Sequence, residues 1–97
     1  MDDESLMREI LSALIDDTSR QIQLLDQAIR EQNPQKCIRL AHYSKGACAN
    51  VGANRAAALL KQIERNAAAS EFQQCGASLG ALAREVDLLR AEAVSSS

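Results

Sequence analysis

The chain has 97 residues, 46% of them apolar, yet carries one Phe, one Tyr and no Trp, and its net charge is −2. That length closes one hydrophobic core, so a single domain over residues 1–97 is expected. A core built from Leu, Ile, Val, Ala, Met and Cys suits closely packed helices and argues against a sheet, while the balanced charge gives no support for nucleic-acid binding.

The apolar spacing predicts five helices. The first spans 3–15, with Leu6, Met7, Ile10, Leu11 and Leu14 on one stripe and Asp2, Asp3 and Glu4 at its positive end. The second spans 18–32 on Ile22, Leu25 and Ile29, with Asp17 or Thr18 as cap. The third spans 34–51: Asn33-Pro34 is a strong start signal, and Gly52 can take the left-handed backbone that ends a helix. Its seam is Cys37, Ala41, Ser44, Cys48 and Val51. The fourth spans 54–67, with Ala56, Leu59, Leu60 and Ile63 inward. The fifth spans 71–93, opened by a Ser70–Gln73 capping box and carrying Cys75, Leu79, Leu82, Val86 and Leu89; Ser95 to Ser97 are read as a tail. Short turns between amphipathic helices imply an all-α fold, an antiparallel up-down four-helix bundle with an additional N-terminal capping helix.

Three cysteines, Cys37, Cys48 and Cys75, each fall on an apolar face. An odd, scattered set fits neither a disulfide framework nor a zinc site, so buried free thiols in a reducing cytoplasm are expected. No signal peptide and no apolar run approaching a membrane span occurs, and no direct membrane contact is expected.

The only histidine, His42, sits mid-helix, about 100° around from Ala41 in the seam, and so at the edge of the core or outside it. Lys45, Gly46 and Ala49 follow at i+3, i+4 and i+7 on the same face. A glycine inside a helix costs about 1 kcal/mol relative to alanine, and nothing in the seam asks for Gly46. A close approach by another protein's backbone or by a phosphoryl group gives it a purpose. Neutral imidazole is a nucleophile, Lys45 can offset charge on phosphoryl oxygens, and a carboxylate on the inner ring nitrogen would fix the tautomer. Glu64 in the next helix is the candidate for that carboxylate.

Residues 41–52 read Ala-His-Tyr-Ser-Lys-Gly-Ala-Cys-Ala-Asn-Val-Gly. This closely resembles the signature of histidine-containing phosphotransfer (HPt) domains: alanine, histidine, two residues, lysine-glycine, then small residues ending in glycine. The likeness continues to Ile63-Glu64, where the family has an apolar residue followed by Glu or Gln, and the helix order fits residues 3–92. Ser44 departs from the pattern, standing where the family usually carries a bulky apolar residue.

The resemblance implies that His42 is phosphorylated, with Lys45 as stabilising cation, Glu64 as orienting acceptor and Gly46 as the gap for a docking receiver domain. Ile38, Arg39 and Ala49 would complete the docking surface, with Lys36 and Arg55 nearby to steer an acidic partner. Expected partners are response-regulator receiver domains and a hybrid histidine kinase, with the chain itself a monomer. No nucleotide loop, cofactor or metal site is expected, so the chain is a phosphocarrier without kinase activity of its own. Two other readings stand beside it: a phosphoacceptor module of a chemotaxis-type histidine kinase, and a helical docking protein that is never phosphorylated.

Overall fold

Four helices, and no strand among the described residues, make up the computed structural model, which describes residues 3–95. They are α1 (Asp3–Arg30), α2 (Pro34–Asn50), α3 (Asn54–Ala68) and α4 (Phe72–Ser95). Asp2 of the expected first-turn acids, and Ser96 and Ser97 of the expected tail, lie outside the described residues.

The expected first and second helices are one, so there is no separate N-terminal capping helix. The Asp16-Asp17-Thr18 cluster that suggested a cap contains neither Gly nor Pro, and its residues all find roles within a continuous helix. Asp16 faces solvent, and Asp17 reaches across to α2. Thr18 is buried in the seam between Ile15 and Leu25, and its hydroxyl hydrogen-bonds the Cys48 thiol. A helix of 28 residues is about 42 Å long.

Each helix packs closely on two others in a closed ring, α1 on α2, α2 on α3, α3 on α4 and α4 on α1. Arg55 pairs with Glu85 and Gln62 with Ser78, so α3 and α4 run in opposite directions. Leu25, Leu60, Ile63 and Leu82 fill the centre, and Ala28, Ala41, Ala56 and Ala67 let the helices approach closely. Cys37, Cys48 and Cys75 are free and buried; burial raises all three thiol pKa values, Cys75 to about 11.

One device makes all three turns. In each, the amide five residues on bonds back to the first carbonyl: Asn33 to Ala28, Ala53 to Cys48, and Glu71 to Asn66. The residue before it, Gln32, Gly52 or Ser70, bonds three residues back from a left-handed backbone, with φ of 55°, 78° and 58°. Asn33 also caps α2, its side chain accepting from the Lys36 amide at 3.1 Å, with Pro34 in the first turn. The expected Ser70–Gln73 capping box does not form. Ser70 closes α3 in a conformation that an N-cap does not use, and the Glu71 carbonyl takes the first α4 bond, from the Cys75 amide.

Two further expectations change with the helix ends. Val51 is exposed at the end of α2 and leaves the seam. Leu6, Met7 and Ile10 are exposed too, although their spacing pointed inward. Counting from the Asp17–Tyr43 pair, α1 continues fourteen residues to Asp3 whereas α2 continues seven to Asn50. The first two turns of α1, about 10 Å, therefore project past α2.

Candidate functional site

His42 rises from the middle of α2 with 71% of its side chain exposed. The seam fixes this: Ala41 and Ser44 are buried on either side of it in sequence, so helical rotation turns His42 outward toward α3. There Glu64 waits, placed by Leu60, Ile63 and Ala67, three of the four buried residues of its helix. Its Oε2 lies 3.3 Å from His42 Nδ1. A carboxylate only accepts, so this contact makes Nδ1 the N–H of the neutral ring and leaves the Nε2 lone pair unpartnered among the described residues. The bond is long; it orients the ring more than it holds it.

Lys45 completes the group. Its Nζ is 2.6 Å from Glu64 Oε1, and both side chains are largely covered. The approach is poorly directed for a hydrogen bond, so Oε1 is held mainly by charge. Glu64 thus bridges imidazole and ammonium, one oxygen to each.

Gly46 lies one turn after His42 in a fully helical segment, and a Cβ built there would meet nothing within 4 Å. No neighbour in this chain requires the glycine. Ala49 is likewise exposed, so the ridge beyond His42 stays low. Ile38 is half-buried on the α3 side one turn before His42, and Arg39 stands exposed on the outer ridge. The structure therefore gathers His42, Lys45 and Glu64 into one contact group, with Ile38, Arg39, Gly46 and Ala49 around it.

Charge is divided between the two helix pairs. α2 and α3 hold Lys36, Arg39, Lys45, Arg55, Lys61 and Arg65 against one acid, Glu64, in a chain whose total is −2. Lys36 and Arg55 are both tied to acids, Glu31 at 3.9 Å and Glu85 at 3.2 Å. Among the described residues no group of three or more His, Cys, Asp or Glu is placed to hold a metal ion, and no helix is long and apolar enough to cross a membrane.

One element beside His42 was not anticipated. Tyr43 swings to the α1 side, where its hydroxyl donates to Asp17 Oδ2 at 3.1 Å, and Asp17 Oδ1 lies 3.5 Å from Arg20. The Asp17 hydrogen bond, then the Asp17 charge, push the Tyr43 phenol above its ordinary value, and Arg20 opposes them. The available signal was an isolated tyrosine next to the only histidine, but its partner lies 26 residues away on a helix whose continuity was itself missed.

An all-helical scaffold presenting one exposed, carboxylate-oriented histidine is the arrangement of histidine phosphotransfer domains, and the chain belongs to that family: the Hpt domain model matches residues 9–92. Among solved structures it is similar to histidine-containing phosphotransfer protein B (HptB) from Pseudomonas aeruginosa PAO1. The TM-score is 0.85 at 25% identity, over 92% of this chain and 77% of that one. No curated protein matches the chain.

Proposed function

We propose that the chain is a phosphorelay intermediate of two-component signalling. His42 Nε2 attacks the phosphorus of a receiver-domain aspartyl phosphate; the N–P bond forms as the acyl P–O bond breaks and the aspartate leaves as carboxylate. A second receiver aspartate then reverses the exchange. The observation that carries this reading is the exposed His42 ring whose Nδ1 is turned to Glu64, so that the open nitrogen is Nε2.

Glu64 holds the tautomer in which Nε2 is the nucleophile and stabilises positive charge on the ring once Nε2 is phosphorylated. Lys45 supplies a cation beside the incoming phosphoryl oxygens, where charge grows during transfer. Gly46 and Ala49 leave room for the partner, and Ile38 and Arg39 give it apolar and cationic contacts. The partners are receiver domains and a hybrid histidine kinase; the basic α2–α3 face suits the acidic pocket that surrounds a reactive aspartate. The chain acts as carrier, not kinase, in the cytoplasm, where three free thiols remain reduced.

The test is transfer of label from a phosphorylated receiver domain to the chain, followed by intact mass. Wild type is expected to gain one acid-labile phosphate and His42→Gln none. Retained labelling in His42→Gln would refute the assignment.

A further inference from the structure

His42 has two unlike flanks. On the α3 side stand Glu64, Lys45 and the exposed Lys61. On the α1 side stands Tyr43, 56% exposed, with the exposed Arg39 one turn before it on the same face of α2; beyond them are Ile10 and Leu6, which share the Asp17 face of α1 by helical spacing and are also exposed. The reacting aspartate of a partner is anionic and belongs against the basic flank. Any apolar surface it brings belongs against the other.

Tyr43 is suited to receive it for two physical reasons. Its hydroxyl is already satisfied by Asp17 at 3.1 Å, so covering the ring removes carbon surface from water without stranding a polar group. The same bond, backed by Arg20, fixes the far end of the side chain before any partner arrives, so docking has little rotamer freedom left to remove. More than half of the residue stays open to solvent.

We infer that Tyr43, held by Asp17, is a specificity-determining contact for the receiver domain that exchanges phosphate with His42, and that this partner docks leaning toward α1. The inference rests on the phosphorelay reading and adds to it which side of the histidine selects the partner. Tyr43 touches the partner; Asp17 is a positioning residue acting through it.

The experiment uses the full chain with the source organism's receiver domains, each charged with acetyl phosphate, and measures transfer rate against receiver concentration. Tyr43→Ala is expected to raise the half-saturating concentration of the preferred receiver about tenfold, with the rate at saturation retained. Tyr43→Phe and Asp17→Ala, which keep the ring and release its tether, are each expected to raise it about threefold. The Tyr43→Phe/Asp17→Ala double variant is expected to be no weaker than either single one. Circular dichroism melts show whether each variant is folded, and the two tether variants carry the test if Tyr43→Ala is not. Unchanged half-saturation in folded Tyr43 variants, a loss confined to the saturating rate, or additive losses in the double variant would overturn the inference while leaving His42 labelling intact. A wild-type chain that takes label from no receiver overturns the phosphorelay reading itself.

Discussion

Gly46→Ala separates what the fold wants from what the function wants. The glycine lies inside α2, its φ is not left-handed, and an added methyl meets nothing within 4 Å. Alanine there should therefore recover the full helix-propensity difference, about 1 kcal/mol. In a domain of this size that raises the melting temperature by roughly 4–8 °C. The same methyl stands one turn from His42 on the ridge where the proposed partner would settle. Phosphoryl transfer requires in-line contact between Nε2 and phosphorus, and a displacement of about 1 Å costs roughly a hundredfold in rate. The expected outcome is a more stable protein that accepts phosphate about a hundred times more slowly, read by thermal melts and by label transfer from a receiver. Transfer at the wild-type rate would refute the idea that Gly46 exists for the partner. A lowered melting temperature would refute the open space beside it.

Four further outcomes follow from the fold. Gln32→Gly, at φ 55°, should stabilise the protein by about 1 kcal/mol in urea unfolding, because glycine takes the left-handed turn without strain. Ser44→Ala should raise stability by a similar amount, about 1 kcal/mol, because the buried hydroxyl oxygen has no partner. Cys75, pushed by burial from 9.0 to about 11, keeps its proton in the folded state longer than in the unfolded one; stability should fall as pH rises from 9 to 11, and Cys75→Ala should flatten that slope in pH-dependent unfolding. Tyr43 is the sole tyrosine, so phenolate absorbance reports it alone: its midpoint should lie above that of a free tyrosine and drop in Asp17→Asn, which removes the charge.

The geometry of the candidate site was legible in the sequence because it is local. His42, Lys45 and Gly46 lie within one turn and a half of a helix whose start, Asn33-Pro34, and end, Gly52, are written in residue types with one strong conformational reason each. Glu64 could be named because a short turn folds α3 back on α2, but its sharing between His42 and Lys45 depends on side-chain reach, which spacing does not contain. The errors were made where two physical readings of the same residues compete. An aspartate pair before threonine looks like a cap, yet with Thr18 able to fill a seam position and bond Cys48 the helix simply continues. Ser70 before Gln73 looks like a helix start, yet the preceding helix used Ser70 first, as its left-handed stop. Gln32 gave no signal at all, since a non-glycine residue in that conformation is chosen by the turn and not by its own preference.

The bridging carboxylate ties these observations into a statement about charge. Before phosphorylation, Lys45 is the partner of Glu64 at 2.6 Å. A phosphoryl group arriving on Nε2 brings negative charge to the same small region and competes for the same ammonium. On the proposed reading Lys45 cannot serve both anions at full strength, so a phosphate on His42 would be stabilised only as far as Glu64 gives the cation up. Glu64 in turn gains the ring's own positive charge as its replacement, through Nδ1. Glu64→Gln keeps a hydrogen-bond acceptor for Nδ1 and frees Lys45 for the phosphate, so it should slow spontaneous loss of phosphate from His42 and slow delivery to the second receiver. Faster loss of phosphate in that variant would show that Lys45 never takes part.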